Sequence, residues 1–397
     1  MKRWRCSGSP RNLRGAALLL AASLGLPAPG LASDAPPSMT VQVLSADLPA
    51  DAVPINSPAG EALRGERVQV LLPYKKEGTW LRVTVGALPP EPRLVVNGVS
   101  MDHVTLVMPG ARRIARSKTE PSDDPSASSV AAVFVLPPDI EAGTVLWLHS
   151  ADRHRNLVEL RLMSASEWRA YERFTIAFAV ALYGVFAAFV VIAAIYWTIL
   201  RERMFADHAG YLLSLLVFMS MSSGLFYQLF PGGFWARAGI QGQWGLATLA
   251  IAFAVGFATR FLDIERLLPH VARALDAVRF TLIGLAVGVI LAPFELPYFG
   301  ASVALALVAL NTVLVVLGFY VATKRSRYAL YFLLGWIPLT LCTDMRALQA
   351  TGTIEVGYEM SLFYALGAVW EALVLTAGIA DRALSFRRER DVAQHLA

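Results

Sequence analysis

Seven long apolar stretches lie between Phe174 and Ala380, near residues 174–200, 208–230, 240–262, 277–294, 298–323, 328–348 and 360–380. A hydrocarbon layer about 30 Å thick is crossed by about 20 helical residues at 1.5 Å each, so the stretches are of spanning length. Backbone N–H and C=O groups find no water in lipid, which makes each span a helix. The fourth stretch is the weakest, being short and flanked by Arg279 and Pro293. An odd number of spans puts the two ends of the chain on opposite membrane faces.

Lys and Arg set the expected orientation. The segments after the first, third and fifth spans and the tail after the seventh hold thirteen of them, including Arg201, Arg203, Arg260, Lys324 and Arg382. The alternate segments hold only Arg237. By the positive-inside rule the basic side is cytoplasmic, and the region before Phe174 is outside.

The N-terminus agrees with that orientation. Lys2, Arg3, Arg5, Arg11 and Arg14 precede an apolar run from Ala16 to Leu26, and small residues follow up to Ala32 and Ser33. This reads as a secretory signal peptide over residues 1–33, because its apolar core is too short to span. The formal charge of +5 matches the leader's five basic residues, so the remainder is near neutral. No nucleic-acid footprint is left. Cys6 belongs to the leader and Cys342 to the sixth span, so the exported part has no disulfide and no thiol metal site.

Residues 34–165 are of a different composition. Runs such as Val68 to Leu72, Trp80 to Val85, His103 to Met108 and Thr144 to His149 are β-branched and aromatic, with Pro, Gly and Asn between them. Seven or eight short strands at this spacing predict an antiparallel β-sandwich or jelly roll. Residues 112–129 read as a long loop. Residues 166–173 form a juxtamembrane connector whose Trp168 and Tyr171 are most simply interfacial anchors. The fold class is therefore β plus membrane α: a sandwich at 34–165, a seven-helix bundle at 174–380 and a cytoplasmic helix stub at 381–397.

Several motifs stand in a recognisable order. Gly78-Thr-Trp-Leu-Arg-Val83 and Leu94-Val-Val-Asn-Gly-Val-Ser-Met-Asp-His-Val-Thr-Leu106 lie in the exported part. Arg201-Glu-Arg203 with Tyr211, Arg260-Phe-Leu-Asp263, Tyr331-Phe-Leu-Leu-Gly-Trp336 and Ala380-Asp-Arg-Ala383 lie in or beside the spans. Together they resemble the bacterial seven-transmembrane receptors with diverse intracellular signalling modules (7TMR-DISM), with the second extracellular domain type of that family. The resemblance implies an inner-membrane receptor that senses a periplasmic small molecule, with carbohydrate the class suggested, and drives a cytoplasmic output module. No diguanylate cyclase, histidine kinase or phosphatase signature occurs in this chain, so it is not expected to be an enzyme. The output module is then either separate or missing, and the second is favoured. Ile379, Ala383, Phe386, Ala393 and Ala397 have spacings compatible with a short heptad seam, interrupted by Arg390, for a signalling partner or a second copy.

Two sets of candidate site residues follow. Trp80, Trp147, Tyr74, Asp102, His103 and His149 could line a sugar-binding face, since aromatic rings stack on sugars; core packing is the plainer use of Trp80 and Trp147. Asn311, Asp344, Arg346 and Glu371 are polar residues inside spans, where they are costly and face the bundle interior. A structural pairing of Glu371 with a Tyr, Ser or Asn such as Asn311 is the simplest use, and a switch or ligand contact, or proton transfer, the alternatives. Gly284 and Gly288 have the spacing of small-residue helix packing. The spans and their loops offer only His208 and His270 as histidines and only Lys324 as a lysine, which speaks against a zinc site or a retinal Schiff base; no metal or cofactor is expected. A transporter or channel is the alternative function, although no inverted repeat is visible and Pro338 alone breaks a span.

Overall fold

The computed structural model describes residues 38–396 apart from 46, 56, 74, 76, 99–102, 120–123, 125–126, 152–155, 292–298 and 351–359. The leader, Tyr74 and Asp102 lie outside the described residues, as does the Arg346 side chain. Among the described residues ten strands come first: β1 (Met39–Val43), β2 (Leu63–Gly65), β3 (Arg67–Leu72), β4 (Thr79–Val85), β5 (Pro92–Gly98), β6 (His103–Val107), β7 (Arg113–Ser117), β8 (Ala132–Val135), β9 (Val145–Ser150) and β10 (Asn156–Ser164). They pair antiparallel in two sheets, ordered β2-β1-β4-β9-β6-β7 and β3-β10-β5-β8.

Alternation decides what each face does. Leu81, Val83, Leu106 and Leu148 of the larger sheet meet Val70, Leu94, Phe134 and Leu160 of the smaller one in a shared core. The neighbouring positions point the other way, because side chains alternate across a strand. The sequence expectation of a loop over 112–129 is corrected at its start, where β7 pairs with β6 from Arg113↔Val107 to Ser117↔His103. Its Arg113 and Arg116 mark a sheet edge guarded by charge, which is why the segment reads as polar.

Among the described residues nine α-helices follow: α1 (Ala165–Leu200), α2 (Arg203–Ser222), α3 (Leu225–Leu229), α4 (Gly233–Phe261), α5 (Ile264–Leu267), α6 (Pro269–Leu291), α7 (Phe299–Thr323), α8 (Arg327–Ala350) and α9 (Met360–Leu396). Seven of them, all but α3 and α5, are long and apolar enough to cross a membrane. The molecule is thus a β domain followed by a seven-helix membrane bundle. Since α1 descends from the β domain, the ends of α1, α4 and α7 and the starts of α2, α6 and α8 form the arginine-rich end, away from the sandwich.

Residues 166–173 form the first turns of α1, which follows β10 directly. β10 ends at Ser164, which caps α1 through the Glu167 amide at 3.2 Å while the Glu167 carboxylate accepts from the Ser164 amide at 2.8 Å. This reciprocal capping box starts the helix within one residue of the strand. Trp168 is then 2% exposed against Val95, Ala131 and Val133 on the outer face of the smaller sheet. The expectation that Trp168 is a lipid-interface anchor is corrected: the sheet offers it an apolar face one turn into the helix. Arg161 lies over the Tyr171 ring at 5.7 Å.

A second contact ties the sandwich to the bundle. Gly224, just after α2, has φ +80°, and a Cβ there would lie 2.1 Å from the Ser129 carbonyl oxygen. Gly232 has a similar φ of +72° with open space around it. Gly224→Ala is therefore expected to destabilise the protein more than Gly232→Ala, by about 1–3 kcal/mol for the strained site, in thermal unfolding of the purified chain. Gly284 and Gly288 also have open space where a Cβ would be, so they do not make the close helix contacts their spacing suggests. Those occur instead at Gly210 against Phe253 and Gly378 against Tyr331.

Candidate functional site: polar contacts inside the bundle

The β-domain candidates are held by internal contacts. Trp80 is fully buried and its indole N–H donates to the Leu48 carbonyl at 3.0 Å, under the segment that covers the outer face of the larger sheet. Trp147 packs beside it, half-buried, with the Arg82 guanidinium 5.8 Å from its ring centre. His103 is exposed at the start of β6. His149 is 2% exposed, tilted against Trp80 at 4.8 Å, and its Nε2 donates to the Glu77 carbonyl at 2.8 Å. Trp80 and His149 therefore offer no open platform to a sugar.

Burial pushes the His149 pKa below the usual histidine value, with the Glu77 carbonyl bond acting in the opposite sense. The unfolded chain takes up a proton near pH 6.5 that the folded site resists. The stability this supplies is complete above that pH and is lost as pH falls. The melting temperature should consequently drop less between pH 7 and pH 5 in His149→Gln than in the wild type.

At the middle of the bundle α9 meets α2. Glu371 is fully buried and its Oε2 accepts from the Tyr211 hydroxyl at 2.6 Å, while Oε1 has no partner. Asn311 makes no hydrogen bond to Glu371, whose carboxylate is met by Tyr211; it lies on α7 near Asp344 of α8. His208, one turn before Tyr211, is fully buried with both ring nitrogens unpaired, and its ring lies 4.8 Å from that of Phe257. Losing the Tyr211 hydroxyl would leave the buried carboxyl without its partner, so Tyr211→Phe should destabilise the bundle by about 1–3 kcal/mol.

On the sandwich side of this pair the bundle holds a cavity of about 120 Å³. Ala247, Ala250 and Ala254 of α4 form one wall, and Asn311, Trp336 and Thr340 contribute to the others. The alanines make the space: larger residues at those spacings would fill it. Pro338 sits in α8 between Trp336 and Thr340. Proline supplies no N–H, so the Leu334 carbonyl loses its helical donor. The Trp370 indole of α9 replaces that donor at 3.0 Å. Position 370 adjoins Glu371, so the break in α8 is linked to the Tyr211 contact through consecutive residues.

The arginine-rich end carries a second polar system. Asp207 of α2 is 3% exposed and accepts from Arg260 of α4 at 2.5 Å and from Arg279 of α6. Arg382 of α9 is 9% exposed, donates to Asp263 at 2.7 Å and to the Phe261 carbonyl, and lies 5.1 Å from the Tyr328 ring centre. Asp263 holds φ +52° as the cap between α4 and α5, which turns its carboxylate back toward α9. Four spans are thereby joined by charge-assisted bonds, the strong class of hydrogen bond. Among the described residues no group of three His, Cys, Asp or Glu side chains lies close enough to hold a metal ion.

These contacts gather the motifs of the membrane half: Tyr211, Arg260 to Asp263, Trp336 and Arg382. The sequence profile of the 7TM diverse intracellular signalling family matches residues 176–382. The chain belongs to that family. No curated protein matches the chain. Membership makes it a multi-pass membrane protein of a seven-helix receptor type. In this 7TMR-DISM chain the arginines after the spans, read from the sequence as topological, divide into two groups. Arg260, Arg279 and Arg382 are built into ion pairs, whereas Arg201, Arg203 and Arg266 are exposed. Asp207 was missed by the sequence reading; its signal is an acidic residue inside the fifth position of a span, where charge is costly unless paired.

Proposed function

We propose that this 7TMR-DISM protein is a signal-transduction receptor of the bacterial inner membrane, with the β domain periplasmic and α9 ending in the cytoplasm. A small molecule acts at the sandwich or at the cavity in the sandwich-side half of the bundle, carbohydrate being the class for the former. Its binding changes the packing of α8 and α9, and the arginine-rich end passes the change to a cytoplasmic output module or to a second copy. The protein itself performs no catalytic step.

The observation that carries this reading is a set of contacts spaced along the bundle: Trp168 of α1 against the smaller sheet, Trp370 and Glu371 of α9 against α8 and α2, and Arg382 of α9 against the turn after α4. A set of this kind can shift only as far as the ligand binds one arrangement more tightly than the other. Reporter fusions at Ser45 and beyond Leu396 test the topology. The reading expects the first to be active outside and the second inside; both on one side would remove the receptor layout.

A further inference from the structure

We infer that the arginine-rich end contains a binding site for a phosphate-bearing anion, between the start of α2, the turn after α4 and the part of α9 near Ser385. An open basin of about 680 Å³ lies there. Its wall carries five arginines, Arg201, Arg203, Arg260, Arg266 and Arg382, and no lysine. Three carboxylates, Glu202, Asp263 and Glu265, also line it, so cationic groups are in excess.

Two of the guanidiniums are fixed in advance. Arg382 is held by Asp263 and the Phe261 carbonyl, and Arg260 by Asp207, so neither pays the full entropy of ordering when a ligand arrives. Arg201, Arg203 and Arg266 make no ion pair among the described residues and are exposed toward the same end. Positive-inside topology explains arginines near a span end, but it does not require them to surround a concavity. Guanidinium forks match phosphate oxygens in pairs, and a cavity of this size accepts a phosphate ester with its substituent. The basin lies at the ends of the spanning helices, and basic pockets between spans at such ends suit lipid headgroups. A soluble phosphate compound would present the same chemistry. Once bound, the anion bridges Arg203 at the start of α2 to Arg382 in α9, so it acts on the joint through which the receptor would signal. The site itself stands whichever membrane side this end faces.

The test is the melting temperature of the full chain in neutral maltoside detergent with three additives: dioctanoyl phosphatidylglycerol, inorganic pyrophosphate, and dioctanoylglycerol as the phosphate-free control. A saturable rise with the lipid alone assigns a headgroup, with pyrophosphate alone a soluble ligand, and with both the shared phosphate. Arg203→Gln with Arg266→Gln, both exposed, should weaken the effect about tenfold or more, while Arg273→Gln outside the basin should leave it unchanged. If the double variant melts too early to compare, native mass spectrometry of bound lipid and pyrophosphate on Arg266→Gln gives the same comparison. No rise with either phosphate compound, an equal rise with dioctanoylglycerol, or full retention in the variants overturns the proposal. The reporter fusions are independent of these outcomes, so either reading can fail alone.

Discussion

Asp207→Ala is expected to lower the stability of the bundle by about 3–5 kcal/mol, the range for removing one partner of a buried ion pair. The carboxylate is 3% exposed and stands between Arg260 and Arg279, whose side chains are 18% and 11% exposed. Alanine would leave two largely buried guanidiniums close together, with Glu265 at 3.9 Å from Arg260 as the remaining ion-pair partner among the described residues. Asp207→Asn should be milder, because the amide oxygen can still accept a hydrogen bond. The triple replacement Asp207→Leu, Arg260→Met and Arg279→Met should recover much of the loss, since exchanging a whole buried ionic group for apolar side chains is often neutral. Unfolding of each variant in nanodiscs checks the order. Equal stability of Asp207→Ala and the wild type would mean that the cluster is solvated and contributes little.

Trp168→Ala is expected to be comparably severe, at about 3–5 kcal/mol for a buried large aromatic. The effect should be localised differently. Trp168 fills the joint between the smaller sheet and the first turns of α1, so its loss loosens the sandwich on the bundle, with the Gly224–Ser129 contact remaining, and leaves both cores in place. Hydrogen exchange should report faster exchange in β5, β8 and residues 165–172, with little change around Glu371. Phe at this position should restore most of the stability. If exchange rose equally throughout the spans, the joint would be part of one cooperative unit with the bundle.

The broad architecture was legible because it rests on two periodicities that the residues carry openly. Apolar runs of spanning length gave seven helices near their observed positions, and alternating β-branched runs gave a sandwich. What the sequence concealed depends on partners far apart in the chain. Glu371 was visible as a polar residue in a span, but its contact with Tyr211 lies 160 positions away. The arginines at the span ends are visible in the sequence only as a count, and the fold separates the ion-paired ones, Arg260, Arg279 and Arg382, from exposed ones such as Arg201, Arg203 and Arg266. β7 reads as loop in the sequence because an edge strand rich in arginine and a polar loop have similar composition. Trp168 was assigned to the lipid interface because a tryptophan beside a span fits that role as well as it fits a sheet face.

Pulsed electron spin resonance offers the most direct test of the relay, with labels at Glu265 and Leu384, both exposed near the arginine-rich end. Trp370→Phe removes the donor that satisfies the Leu334 carbonyl beside Pro338. Position 384 is 14 residues further along α9, or about 21 Å at 1.5 Å per residue. The account expects Trp370→Phe to shift or broaden the distance distribution between the two labels in a variant that remains folded. A distribution superposable on that of the wild type, with hydrogen exchange around Leu334 clearly raised, would contradict it.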